Sequence, residues 1–268
     1  MSRLASENGR ESHGTAADPK ETNTPPALTP LPDSYRRGMV GQLDAALWKR
    51  LQRCCSGIRT MGPRETLSEA GERLDRSALL LEGVMARYVR GAANGASSRA
   101  MVSIQVPGDF IDLHGLPMKA LDHDVCSLTD VRIAMFPHEC LDQIIAGSPK
   151  DARALWRLTM IDASVHRHWL FRTSPLRALA SVADFICEMD LRLHNANEME
   201  GAALPLPLLQ SDLAEITGLS TVHVSRVIRD LRESGLCTVR DGYAEIHDRG
   251  RLRQLAGYDP SYLYLPED

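Results

Sequence analysis

The stretch from Pro205 to Ala256 allows fewer folds than any other part of the chain, because its apolar residues, glycines and capping residues fall in one fixed order. Leu213, Ala214 and Ile216 form the inward side of a first helix, predicted over about residues 210–217. Gly218 can take the positive φ that ends a helix in a tight turn. Leu219 is placed to pack between two helices, and Ser220 is well typed as an N-cap. In the second helix, about residues 221–234, Val224, Val227, Ile228 and Leu231 recur at i, i+3, i+4 and i+7 and face a core. At about 100° per residue, Val222, Arg226, Arg229 and Glu233 lie on the opposite side. Ser225 stands at the edge of that side, with Thr221 and His223 at the N-terminal end. Gly235 ends the helix, and residues 236–240 and 243–246, joined by Asp241-Gly242, read as a hairpin with a type I′ turn. Helix, glycine turn, helix and hairpin, in that order, predict a winged helix-turn-helix and a face for double-stranded DNA.

The chemistry of the outward face agrees. A guanidinium fork can take both acceptors on a guanine edge, worth about 1–3 kcal/mol of discrimination, and Arg226 is the candidate reader. Hydroxyls and helix N-terminal amides suit phosphate contacts that set register. The plain alternative is two ordinary helices with a solvated arginine face. The ordered set of cap, glycine, apolar tetrad and outward arginines favours DNA.

Upstream, residues 1–34 hold hardly any large apolar side chain and are expected to form a disordered tail. Leu43, Leu47 and Leu51 then mark a short amphipathic helix. Between about Thr60 and Phe136, short aliphatic runs (78–84, 88–89, 101–106, 131–135) alternate with turn clusters, which predicts a β-sandwich or barrel. From Lys150 to Phe171 the period becomes helical: Ala154, Leu158, Ile161, Val165 and His168 follow a 4-3-4-3 spacing, flanked by Leu155 and Trp169. That stripe suits either a helix packed on its own domain or, since it is longer than a small β-domain needs, a dimer interface of Leu155, Leu158, Ile161, Val165, His168 and Trp169. Thr173-Ser174-Pro175 restarts a helix that runs to about His194, and residues 195–207 read as a loop.

Composition removes several classes. The net charge of −4 argues against a chain that coats nucleic acid wholesale but permits one local reading face. No apolar run approaches the roughly 18–20 residues of a membrane span, and the N-terminus lacks the apolar stretch of a secretory signal, so a cytoplasmic location is expected. The six cysteines are scattered, without a C-x-x-C, which speaks against a disulfide framework or a zinc ribbon. No G-x-S-x-G, Walker A or H-E-x-x-H motif is present, and nothing positive points to an enzyme.

The run LLQSDLAEITGLSTVHVSRVIRDLRESGL, with weaker support from LLLEGVMARYV and VPGDFIDLHG, resembles the Crp/Fnr family of bacterial transcription regulators. The resemblance implies an α+β chain: a β-roll sensor domain (35–148), a dimerisation helix (149–172) and a winged helix-turn-helix domain (173–268). It implies a homodimer on a palindromic operator, with RNA polymerase as a further candidate partner. Arg226 falls at the family's base-reading arginine, with Thr221 and Ser225 beside it. Gln210, Ser211, Ser220 and His223 fall where backbone contacts are expected. Val222 stands where well-known members carry a glutamate, so their operator sequences do not transfer.

The sensor half departs further. Asp112 and His114 lie near the position of the cassette's ribose-binding glutamate, and His123-Asp124 where an Arg-Ser pair would hold a cyclic-nucleotide phosphate. An acidic residue there repels a phosphate and argues against cyclic AMP. The N-terminal cysteine cluster of the iron–sulfur branch is absent. His114, His123, Cys126, His138 and Cys140 leave a haem, metal or redox-responsive regulator as an alternative, with His138 and Cys140 on one strand face. An adaptor whose helix-turn-helix does not bind DNA is another. No cofactor is assigned.

Overall fold

The computed structural model describes residues 31–93, 96–197 and 203–265. The expected tail therefore lies outside the described residues except at its end. There Leu31 is fully buried and Asp33 accepts a hydrogen bond from the Trp48 indole (3.0 Å), so this end packs against the fold although its polar composition suggested otherwise.

Two short helices, α1 (Gly38–Gly41) and α2 (Ala45–Cys54), open the fold, and Asp44 caps α2 by accepting from the Leu47 amide. Strands β1 (Gly57–Met61), β7 (Val131–Pro137) and β3 (Arg76–Glu82) form one antiparallel sheet in the order β1-β7-β3. Strands β2 (Thr66–Ser68), β6 (Asp124–Ser127), β4 (Met85–Ala93) and β5 (Ala96–Gln105) form the second, in the order β2-β6-β4-β5. A turn of helix, α3 (Gly115–Met118), lies between β5 and β6. Residues 77–81 of β3 are all buried, so the strand shows no alternation. Ala78 and Leu80 face the core between the sheets, while Leu79 and Leu81 face α2 and the helix after β7.

That helix, α4 (His138–Gly147), begins where the sequence suggested continuing strand. His138 and Cys140 thus share a helical turn, and His138 pairs with the Ser77 hydroxyl (3.1 Å). Cys140 joins Cys54 in a disulfide, a pairing that the scattered cysteine spacing did not suggest. Ser148 caps α5 (Pro149–Thr173), with proline at N1, and α6 (Ala178–Asn197) follows after a short turn.

The expected dimer stripe turns inward. Leu155 and Leu158 belong to the core with α2 and α4, while Val165 and Trp169 belong to the core under α6. Ile161 is buried, and His168 stacks on Tyr262 (3.8 Å between ring centroids). Five of the six are buried in the chain's own cores, and His168 is half-buried. Because α5 lies across both halves of the chain, its own fold consumes that stripe. Two residues along, about 200° around the helix, a second stripe faces outward: Trp156 is 63% exposed, Met160 49% and Leu170 71%.

The last segment holds β8 (Ala203–Pro205), α7 (Gln210–Thr217), α8 (Thr221–Glu233), β9 (Cys237–Arg240), β10 (Tyr243–Ile246) and α9 (Arg249–Ala256). β8 lies within the expected loop and pairs with β10, giving a three-stranded wing sheet in the order β8-β10-β9. Among the described residues no helix is long and apolar enough to cross a membrane.

Candidate nucleic-acid interface

Local chemistry builds the pair α7–α8. Asp212 folds back to accept from the Leu209 amide (2.9 Å) at the start of α7, and Gly218 (φ 66°) ends it. The Ser220 hydroxyl accepts from the His223 amide (3.3 Å) and starts α8. Val224, Val227 and Leu231 are buried, which fixes the rotation of α8 and leaves its other face to solvent. Positive φ at Asp241 (52°) and Gly242 (79°) gives the hairpin turn between β9 and β10.

The nine residues singled out for DNA contact (Gln210, Ser211, Ser220, Thr221, Val222, His223, Ser225, Arg226 and Arg229) are all exposed. Ser225 donates to the Gln210 side chain (2.6 Å), joining the two helices at the centre of the face. Arg229 lies 3.8 Å from Glu233 and 4.0 Å from Asp230, so its charge is partly answered within α8. No ion pair holds Arg226 among the described residues, and it stands in the first two turns of a capped helix. Exposed, positive and uncommitted, it is the most available cation on the face.

Sequence reasoning missed the contacts that seat this module. Arg64, in the β1–β2 turn, pairs with Asp212 through both nitrogens (3.2 and 2.7 Å), and Glu215 accepts from the Met101 amide of β5 (3.1 Å). An acidic residue inside α7 carried no sign that its partner lay 148 residues away.

A profile of the Crp-like helix-turn-helix domain matches residues 180–255, the segment that carries this face. That segment is a helix-turn-helix of the Crp type, and about three quarters of the chain is similar to regulators of the Fnr type. Transcriptional activator protein FnrL of Cereibacter sphaeroides is 24% identical over 199 residues, covering 73% of this chain and 78% of the relative. The anaerobic regulatory protein of Haemophilus influenzae is 20% identical over 201 residues, covering 75% and 77%. In fold, FixK2 from Bradyrhizobium japonicum superposes with a TM-score of 0.66 at 20% identity, covering 74% of this chain and 96% of that one. With a Crp-like helix-turn-helix and relatives named as transcription regulators, the chain is a DNA-binding transcription regulator.

The β-rich half of the chain uses its polar groups internally. Arg87 is buried, grips the Asp162 carboxylate of α5 (2.9 and 2.7 Å) and donates to the Ile111 carbonyl. Asp124 accepts from the Ala70 amide (2.9 Å) and pairs with Arg90. Burial, with Arg87 nearby, pushes His114 down to about 4, so it is neutral at neutral pH; its ring lies 5.3 Å from that of His123. Among the described residues no group of three or more His, Cys, Asp or Glu side chains is placed to hold a metal ion.

Asp112 yields a prediction of its own. Burial pushes its carboxyl from 3.8 up to about 7, outweighing the Ala78 amide that donates to it (2.7 Å) and the Arg87 charge. The unfolded chain thus loses this proton near pH 4 and the folded chain near pH 7. Each pH unit between costs the fold up to about 1.4 kcal/mol. Asp112→Asn keeps an oxygen for the Ala78 amide and cannot ionise. Relative to the wild type, its stability is expected to rise by about 4 kcal/mol between about pH 4 and pH 7. Urea unfolding at three pH values checks this, and a difference that stays constant with pH would refute it.

Proposed function

We propose that this regulator is a cytoplasmic homodimer that reads a palindromic operator, each subunit placing α8 in a major groove. Arg226 contacts base edges; Val222, Ser225 and Arg229 flank it, and Gln210, Ser211, Ser220, Thr221 and His223 hold the phosphates. The observation that carries this reading is the uncommitted, exposed Arg226 on the open face of a helix whose other face is locked into a core. Two such helices, about 34 Å apart along one side of the duplex, require a two-fold axis. The outward stripe of α5 (Trp156, Met160, Ala163, Leu170) supplies one at 4-3-7 spacing. It borders an open groove of about 800 Å³ between α5 and the β4–β5 sheet.

The effector is proposed to be other than a cyclic nucleotide. The groove's buried arginine, Arg87, is already neutralised by Asp162, and Asp124 presents a carboxylate rather than a phosphate donor. Both features oppose an anionic ligand.

The test is DNA binding by fluorescence anisotropy, on an operator selected from random duplexes by the wild type. Arg226→Ala is expected to weaken specific binding by about 5- to 150-fold, the equivalent of 1–3 kcal/mol, and to relax preference at one base pair per half-site. Arg229→Ala is expected to do less, because Glu233 already shares its charge. If Arg226→Ala binds the selected operator as tightly as the wild type, or selection yields no operator, α8 is not the reading helix.

A further inference from the structure

Four cysteines, Cys55, Cys126, Cys187 and Cys237, are buried free thiols. Cys54 and Cys140 differ from them. One is the last residue of α2, the other lies in the first turn of α4, and they meet across 86 residues of sequence with Cα atoms 5.8 Å apart. That separation lies at the centre of the range a disulfide needs, so the backbone holds the two sulfurs in register for a bond.

We propose that Cys54 and Cys140 are a reversible redox-modification site, oxidised by a peroxide and reopened by a dithiol. Access and helix position assign the roles. Cys140 is half-buried and sits where the free amides of the α4 N-terminus favour a thiolate. Cys54 is buried at the C-terminal end of α2, where the helix dipole disfavours one. The Cys140 thiolate attacks a peroxide oxygen. The O–O bond breaks, its electron pair leaves with the outgoing hydroxide, and the sulfur becomes a sulfenic acid. The Cys54 sulfur then attacks the Cys140 sulfur. The S–S bond forms, the S–O bond breaks, and the departing hydroxide takes the Cys54 proton. Two thiols and one hydrogen peroxide thus give one disulfide and two waters. Cys55 does not compete: burial pushes its thiol up, and it points at the Gly57 carbonyl (3.5 Å).

The bond lies at a mechanical joint. The first turn of α5 is tied to α2 by Lys150–Asp44 (2.6 Å) and Arg50–Asp151 (2.5 Å). Cys54, Leu141, Leu155 and Leu158 share one core. A covalent tie between α2 and α4 therefore stiffens the point at which the β-rich half passes into α5. Closing an 86-residue separation also removes conformations from the unfolded chain.

The test uses the full-length reduced protein, treated with equimolar hydrogen peroxide while folded, then alkylated in denaturant and weighed. Expected are four alkylated thiols of six, a Cys54–Cys140 linked peptide, and six alkylated thiols again after dithiothreitol. The oxidised protein should melt at a higher temperature and exchange amide hydrogens more slowly over residues 138–158. Both differences should vanish in Cys140→Ser and in Cys54→Ala. Six alkylated thiols after peroxide, a linked peptide containing any other cysteine, or a melting shift that persists in both variants would overturn the proposal. So would a bond that dithiothreitol cannot open in the folded protein.

Discussion

Arg172→Met is expected to destabilise the protein by about 3–5 kcal/mol, more than any surface change, although methionine fills much the same space. The Arg172 side chain is fully buried where the end of α5 crosses α6. It donates to Asp184 (2.6 Å) and pairs with Glu188, both buried in α6. Glu188 also takes Arg192 (2.8 Å), the Trp169 indole (3.2 Å) and the Tyr262 hydroxyl (3.0 Å), and Arg192 reaches Asp109 in the turn after β5 (2.7 Å). Burial alone would raise the Glu188 carboxyl, but Arg172 and Arg192 outweigh it and hold it at about 2. With Arg172 gone, Asp184 and Glu188 face each other in a low-dielectric site with one cation fewer, and the desolvation cost of both charges is no longer offset.

The pH dependence follows. In the wild type, Glu188 stays ionised in the fold below the ordinary 4.5, so its contribution is present above that pH and lost as pH falls towards 2. In the variant the same carboxyl binds its proton more readily, so acid costs the variant less and the gap should narrow from pH 7 to pH 4. Urea unfolding at both values measures it. A loss under about 1 kcal/mol at pH 7 would show that the network is not the joint between α5 and α6.

The winged module was legible because each of its signals is local. Ser220 caps the helix that starts one residue later, Gly218 turns at φ 66°, and Asp241-Gly242 closes a hairpin between adjacent strands. Strand β8 was not legible: Ala203–Pro205 is three residues long and becomes strand only because Tyr243, Ala244 and Glu245 lie opposite it. The α4 turn at His138 follows β7 without a break, so apolar spacing could not mark where strand gave way to helix. The burial of Arg87, Arg172 and Arg192 was not legible, since their carboxylates lie between 4 and 83 residues away in sequence and only the fold brings them together.

On α5 the stripe that the sequence offered to a partner is the one the chain's own fold buries. α5 carries two apolar stripes, and the better heptad (Leu158, Ile161, Val165) is the one its own domain buries. The two faces make opposite predictions for residues two apart. Leu158 is 8% exposed, so Leu158→Asp buries an unpaired charge in the α2–α4 core and should unfold the chain or cost it more than about 3 kcal/mol. Met160 is 49% exposed, so Met160→Asp should leave the melting temperature of the isolated subunit nearly unchanged. Across a two-fold seam, however, each aspartate is brought close to its own copy, and a like pair in an apolar interface costs several kcal/mol. Trp156→Ala removes the largest exposed side chain of the stripe, and such an anchor contributes about 2 kcal/mol or more to an interface. Light scattering should find a dimeric wild type and a folded monomer for Met160→Asp. Losing the second α8 removes the intramolecular advantage of binding both half-sites, so affinity for the full palindrome should fall by about 10²- to 10⁴-fold, while affinity for an isolated half-site stays as it was. A monomeric wild type, or a Met160→Asp protein that remains a dimer, would reject the outward stripe as the interface. Loss of half-site binding as well would mean that the substitution had reached α8 through the fold rather than through the partner.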